Sequence, residues 1–391
     1  MKTLVIGNGF DLAHDLPTRY EDFLDFLQMA VFVCNKYPLG LDNKNNYKEI
    51  PDALNKYGEE IGAKNGLSAL FYDWIVDREN FFSVLGIGMD ILNIKNGNLW
   101  ANYFLEKNAN GKIGGINWID FELEISNVIR RIEFLYKNVS VNQEKSLSIK
   151  IFNTRLLYEF MNTENDDIIF HEKDFLDFLL KKLQGDLEKF ISSLEQYIGF
   201  VSQLPVTKNV IDIEEIQKEG PIDNIICFNY TDTFRKKYSN DMDDGKIDFV
   251  HGMAHYKKNE ESHIVLGTEE TLSDINEVNE KLDCIHFKKY FQRIYKRTGL
   301  RYKNNLPERP KEQEKSDGLS KRIAYFFGHS LSFRDGDIIK YVVENTDKSV
   351  FFYRDEKQHT QLIASLVRIV GKDKVIEHAN RNFEFRLQKT R

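Results

Sequence analysis

The spacing of apolar residues changes twice along the chain. Thr3 to Ile6 is a short β-branched run ending at Gly7-Asn8-Gly9, which predicts a buried strand closing on a turn. After Pro17 the period becomes helical. Tyr20, Phe23, Leu24, Leu27 and Val31 share one face, and Thr18-x-x-Glu21 predicts a capping box at its start. From about Cys34 to Asn65 the chain is polar, rich in Asn and Lys, and predicts loop with short helices. Two amphipathic helices follow, one marked by Trp118, Phe121, Ile125, Val128, Ile132 and Leu135. The other carries Leu176, Leu179, Leu183, Leu187, Phe190, Leu194 and Tyr197.

Short β-branched runs then return at Asn224–Phe228, Ile247–Val250 and His263–Leu266, and again at Arg322–Phe327 and Ser349–Tyr353. Between and after them lie a basic, aromatic helix near Phe287–Arg297 and a polar segment, Asn304–Gly318, that predicts an exposed loop. Helices follow near Asp337–Glu344 and Gln361–Val370. Short buried strands alternating with helices predict an α/β fold with a mostly parallel sheet. The predicted organisation is a discontinuous core, 1–19 plus 216–391, interrupted by a large, mainly helical insertion at 20–215.

Composition narrows the class. With 391 residues, 41% of them hydrophobic, the chain can bury one or two cores. The net charge of −7 argues against general nucleic-acid binding, which needs a basic surface. Cys34, Cys227 and Cys284 are dispersed, so neither a disulfide framework nor a cysteine metal site is expected. The first residues carry no long apolar segment, and no stretch has the ~20 apolar residues of a membrane helix. A cytoplasmic location without membrane contact is therefore expected, and the glycosylation sequons at Asn138 and Asn229 are read as chance matches.

Candidate chemistry gathers at strand ends. Gly7-Asn8-Gly9-Phe10-Asp11 follows the first strand, where bare backbone can approach a pyrophosphate; the third glycine of the dinucleotide fingerprint is replaced by Leu12. The same glycines could serve only a tight turn, and Asp11 could bind ribose hydroxyls or cap a helix. Phe228-Asn229-Tyr230-Thr231-Asp232 offers an amide that can hold water or a ribose hydroxyl, or an Asn–Thr turn. His251-Gly252 offers a base beside a glycine that admits a ligand, though a lone His is often structural. Gly328-His329-Ser330 is another strand-end loop, and Asp335-Gly336 downstream reads as a turn. The cations Lys288, Lys289, Arg293, Lys296, Arg297, Arg301 and Lys303 alternate with aromatics. They could bind nucleic acid, but a solvated helix face is the preferred reading.

Taken in order, these elements resemble the AbiH family of bacteriophage abortive-infection proteins. The resemblance rests on Gly7 to His14, then Pro17-Thr18-x-Tyr20-x-x-Phe23, Trp118-x-Asp120-x-Glu122, Phe228-Asn229-Tyr230-Thr231, His251-Gly252, Leu266-Gly267 and Gly328-His329-Ser330-Leu331. The same skeleton is distantly similar to sirtuin-like NAD-binding domains, which implies a Rossmann-like core. That similarity implies Asn229 and His251 as catalytic residues. It implies NAD or a related nucleotide as ligand, contacted by Gly7, Asn8, Gly9, Phe10, Asp11, Thr231, Gly328, His329 and Ser330. The sirtuin zinc cysteines are absent, so no metal is expected and the implied activity is NAD hydrolysis rather than deacetylation. A homo-oligomer is compatible with this reading. The alternatives are a nuclease or RNA-binding toxin and a non-catalytic nucleotide sensor.

Overall fold

Six short strands, most of them apolar in sequence, form one all-parallel sheet. They are β1 (Lys2–Ile6), β2 (Asn224–Cys227), β3 (Ile247–Phe249), β4 (Ile323–Phe327), β5 (Lys348–Tyr353) and β6 (Phe383–Leu387), in the order β3-β2-β1-β4-β5-β6. The computed structural model describes residues 1–36, 71, 74–75, 77–93, 97–109, 119–139, 172–239, 242–254, 263–268, 282–299, 301–308, 321–379 and 381–389. Two compact units divide the chain. One comprises Met1–Thr18, Val201–Glu270 and Lys289–Arg391, and the other Arg19–Phe200 and Thr271–Lys288.

The first unit contains the sheet. Successive residues of a strand point to opposite faces, and here both faces are apolar. Val5, Ile226, Ala324, Phe326 and Phe351 join one core, with Ile338, Ile339, Val342, Leu362 and Leu366 from helices Gly336–Glu344 and Glu356–Val370. Leu4, Ile6, Ile225, Cys227, Tyr325, Phe327, Val350 and Phe352 join the other, with Ile213 and Ile216 from Ile211–Lys218, Phe10 and Phe234. Helices on both faces are what a parallel sheet requires. The sheet grows first to one side of β1 and then to the other, so the topological switch lies between β1 and β4, which pair from Lys2↔Ile323 to Ile6↔Phe327. This is the strand order of a Rossmann-like doubly wound sheet.

The second unit is helical among its described residues, with long helices at Tyr20–Lys36, Arg78–Leu92, Leu99–Ala109, Ile119–Val139 and Glu172–Val201. Its core is aromatic. Phe23 lies 5.4 Å from Phe190, Phe104 lies 4.4 Å from Phe121, and Phe26 lies 5.2 Å from Phe71, ring centre to ring centre. Each buried Phe is worth roughly 1.5–3 kcal/mol. Glu122 is buried on the same helix as Phe121. Among the described residues no helix is long and apolar enough to cross a membrane.

Three sequence expectations change. A short helix opens directly at Asn8, within the glycine motif, and runs to Ala13. Thr18 turns its hydroxyl hydrogen back to the glycine motif. It donates to Asn8 Oδ1 at 2.6 Å, and Asp22 caps the Arg19 N–H at 2.8 Å. His263–Leu266 is buried but forms no strand of the sheet. Side chains satisfy its backbone: Gln292 bonds both the N–H and the C=O of Leu266, Tyr230 donates to Val265 O, and Lys296 to Ile264 O. Beyond the predicted last helix the chain adds the helix Lys372–Ala379 and strand β6. Trp118, most of the polar stretch Cys34–Asn65, and the part of Asn304–Gly318 from 309 onward lie outside the described residues.

Candidate active site

The glycines after β1 are required because two backbones touch. Gly7 N–H donates to Phe327 O at 3.2 Å and Gly9 N–H to Gly328 O at 2.8 Å, while Phe10 N–H returns to Gly7 O at 2.8 Å. A Cβ on Gly9 would stand 2.7 Å from Gly328 Cα, and one on Gly7 would stand 2.8 Å from His329 Cα. Gly328 has φ +68°, and a Cβ there would meet Phe10 N at 2.2 Å. The turn after β1 is therefore closed directly onto the turn after β4, across the switch point. Three amides expected from the sequence to face a pyrophosphate are donated within the protein instead.

Two further members of the motif are structural. The Asn8 amide donates to Thr18 O at 3.0 Å and its oxygen accepts from Thr18, which fixes the following bend. Phe10 is fully buried among His14, Phe234, Tyr238 and Phe327. These side chains pack and brace, so neither presents itself to a ligand.

Asp11 differs from both. It is 1% exposed, and its Oδ2 accepts from the Thr231 hydroxyl at 2.6 Å, which in turn accepts from Thr233 at 3.0 Å. Burial pushes its carboxyl up to about 6, against the opposing pull of Thr231, Thr233 and Asn229. Asn229, 5% exposed at the end of β2, lies close enough to favour the carboxylate but makes no hydrogen bond of sound geometry to it. Asp11 Oδ1 and both amide atoms of Asn229 are thus buried without a partner among the described residues. A buried polar atom left unpaired costs about 1–3 kcal/mol, and three in one neighbourhood call for a ligand or water that supplies the missing bonds.

Just past β3, the strand beside β2, stands His251. Its ring packs 5.5 Å from that of Phe228, and its Nε2 lies 3.1 Å from Asp335 Oδ1. Gly252 has φ +80°, and a Cβ there would come within 2.0 Å of His263 O, so the glycine serves close packing of the 263–268 segment. His329 packs on the other side, 4.2 Å from Phe228, and its Nδ1 accepts the Leu331 N–H at 2.9 Å. Burial lowers its imidazole to about 4, despite the carboxylate of Asp335. Ser330 is half-buried beside it. The strand-end residues Asp11, Asn229, Thr231, His251 and His329 are thereby gathered on the carboxyl edge of the sheet, where open α/β sheets hold their ligands.

Sequence reasoning missed two members of this neighbourhood. In sequence Asp335 has the look of a turn residue and Lys289 that of a solvated helix face. Lys289 is 2% exposed and donates to Asp335 Oδ1 at 2.9 Å. The first part of the basic segment is corrected. Lys288, Lys289, Arg293 and Lys296 are buried, with Arg293 reaching Asp337 at 3.3 Å and Lys296 donating to Ile264 O. Its outward positions include the apolar Ile294 and Tyr295, 66% and 75% exposed. The helix Lys289–Tyr295 is therefore not a solvated cationic face, whereas Arg297, Arg301 and Lys303 beyond it are exposed. No sequence signal separates a buried lysine from a solvated one when its acid partner is remote in the chain.

The perturbed Asp11 makes a testable statement about stability. Its carboxyl ionises near 6 in the folded protein and near 3.8 otherwise, so protonation favours the fold and that contribution is lost as pH rises through about 6. The difference corresponds to about 3 kcal/mol. Asp11→Asn keeps an oxygen for the Thr231 hydroxyl but cannot ionise. It should match wild type near pH 4 and exceed it by about 2–3 kcal/mol near pH 8, measured by urea unfolding at both values. His329 acts in the opposite sense over part of this range, but it is common to both proteins and cancels. A difference between variant and wild type that ignores pH would refute the assignment.

All of these residues lie within the span that a family comparison identifies. No curated protein and no solved structure matches the chain. The sequence matches the bacteriophage abortive infection AbiH family over residues 3–353, from β1 to the end of β5. The chain belongs to the AbiH family.

Proposed function

We propose that this chain, whose family supports an antiphage abortive-infection role, acts by binding NAD or a related nucleotide at the carboxyl edge of its sheet and hydrolysing the ribose–nicotinamide bond. The observation that carries the reading is the buried, unpartnered Asn229 amide beside the unpartnered Asp11 Oδ1, at the strand ends where a doubly wound sheet holds nucleotides. An amide that both donates and accepts, beside a carboxylate that accepts, suits the hydroxyls of a ribose and a water.

The chemistry balances without a redox partner. Water forms a bond to C1′ of the ribose, the C1′–N bond breaks, and its electron pair leaves with neutral nicotinamide. The proton lost by water passes to His251, giving ADP-ribose as the second product. The transition state resembles an oxocarbenium ion. Asp11, ionised above about pH 6, supplies negative charge for it in a water-poor setting. The reading does not use the Gly7 and Gly9 amides, which are already donated.

The test follows NAD, nicotinamide and ADP-ribose by chromatography, with purified protein and in phage-infected cells, alongside calorimetric titration with NAD. The expected outcome is NAD loss with stoichiometric nicotinamide, at least in infected cells. NAD that is bound but never cleaved converts the reading to a sensor. Absence of both binding and loss in either setting overturns it.

A further inference from the structure

Four ionisable side chains converge where the sequence predicted two, His251 and His329. Asp335 lies between Lys289 and two imidazoles: its Oδ1 takes the Lys289 ammonium at 2.9 Å and stands 3.1 Å from His251 Nε2, and its Oδ2 is 4.0 Å from His329 Nε2. All four residues are more than nine-tenths buried. We infer that Asp335 is a positioning residue for His251: its carboxylate, balanced by Lys289, grips the Nε2–H and leaves Nδ1 as the basic nitrogen of the ring. The use of that nitrogen rests on the hydrolytic reading above.

The tautomer follows from the donor inventory. An ionised carboxylate only accepts hydrogen bonds, so the His251 nitrogen facing Asp335 carries the hydrogen. The neutral ring then has its lone pair on Nδ1. His329 is fixed by the same logic. Its Nδ1 accepts the Leu331 N–H, which places its own hydrogen on Nε2, toward Asp335. Burial alone would raise the Asp335 carboxyl, yet Lys289 and His251 hold it well below the ordinary carboxylate range. His329, near 4, stays neutral at physiological pH. The anion of Asp335, the cation of Lys289 and the neutral ring of His329 thus surround His251.

That balance explains why a buried lysine is present. A lone buried carboxylate beside His251 would draw a proton onto the ring and turn the base into an imidazolium. The ammonium of Lys289 offsets that pull while leaving the orienting hydrogen bond in place. A purely structural Lys289–Asp335 bridge would join the two segments equally well but would be indifferent to the titration of His251.

The experiment is a proton NMR or 15N titration of the full chain with labelled histidine, without nucleotide, with the His251 signal assigned by its loss in His251→Gln. The charged and titratable groups that face His251 include Asp335, Lys289 and His329. Asp335→Asn removes the anion and should lower the His251 midpoint. Lys289→Met removes the cation and should raise it, each by roughly one to three pH units. The two substitutions move the same ring in opposite directions. Each single variant removes a counter-charge from a buried group and can fail to fold. The double variant Lys289→Met with Asp335→Asn removes both charges at similar volume, and its midpoint should fall below wild type, because the hydrogen-bonded anion is the nearer influence. Midpoints that stay put, or that move in the same direction in both single variants, overturn the inference. So does a double variant that titrates like wild type. Because no NAD is present, this result stands or falls apart from the hydrolysis assay: a silent enzyme with opposed midpoints would refute the function and keep the positioning.

Discussion

Gly328→Ala is expected to cost the protein at least about 3–4 kcal/mol, in a range that single substitutions reach only by a specific mechanism. Two penalties combine. The left-handed backbone at φ +68° costs a residue with a side chain about 1–2 kcal/mol. The new methyl would also stand 2.2 Å from Phe10 N and 2.4 Å from Gly9 C, and neither is a flexible side-chain end that can swing away. The turns after β1 and β4 would have to separate, breaking the Gly9-to-Gly328 hydrogen bond. Gly86 supplies the contrast. It is exposed within the helix Arg78–Leu92 with nothing within 4 Å of an added Cβ, so Gly86→Ala should instead gain about 0.5–1 kcal/mol. Urea unfolding of the two variants beside wild type checks both signs. Equal, small effects at the two positions would mean that the Gly9–Gly328 approach is not a fixed feature of the fold.

The same contact shows where sequence reading reaches and where it stops. Gly7 and Gly9 were legible as residues that must lack side chains, because they end a buried strand. Their partner was not, since a close approach to a phosphate and to another backbone make the same demand of a glycine. Strands β1 to β5 were legible because a parallel sheet covered on both faces needs short, mainly apolar runs. His263–Leu266 has the same composition but is tied down by Gln292, Lys296 and Tyr230, a distinction composition cannot carry. Strand β6 escaped for the opposite reason: it lies at the sheet edge, and its sequence Phe-Glu-Phe-Arg-Leu mixes charges into the run.

In the candidate site, strand ends were readable and partnerships were not. Asn229, His251 and His329 all follow apolar runs, so a parallel sheet brings them to one edge whatever their roles. Asp335 and Lys289 reach that neighbourhood from a turn and a basic helix that look solvent-facing in sequence. Their pairing spans 46 residues and depends on burial, which periodicity over a seven-residue helix does not reveal. The perturbed Asp11 likewise depends on burial, supplied by the chain that folds around it.

Asn229→Ala should separate function from stability. Wild-type Asn229 keeps two buried amide atoms without partners among the described residues, and a buried polar atom left unpaired costs the fold about 1–3 kcal/mol. Removing the amide relieves that cost and leaves a small cavity in exchange, so the unfolding midpoint should hold or rise. If the amide orients water or a ribose hydroxyl, the same change should lower NAD turnover by roughly 10²–10⁴-fold. His251→Gln should lower turnover to a similar degree, since Gln cannot accept the proton, while its bulk preserves much of the packing against Phe228. A residue retained for packing alone behaves differently, because its loss lowers stability first and activity only in proportion. The check is paired: turnover with purified protein, or in infected cells if activity needs a trigger, beside urea unfolding of each variant. Asn229→Ala that unfolds at markedly lower urea and loses activity only to that extent would make the amide structural. Full turnover in both variants would remove Asn229 and His251 from the chemistry, and leave the buried Asp11 carboxylate as the group around which any reaction must be rebuilt.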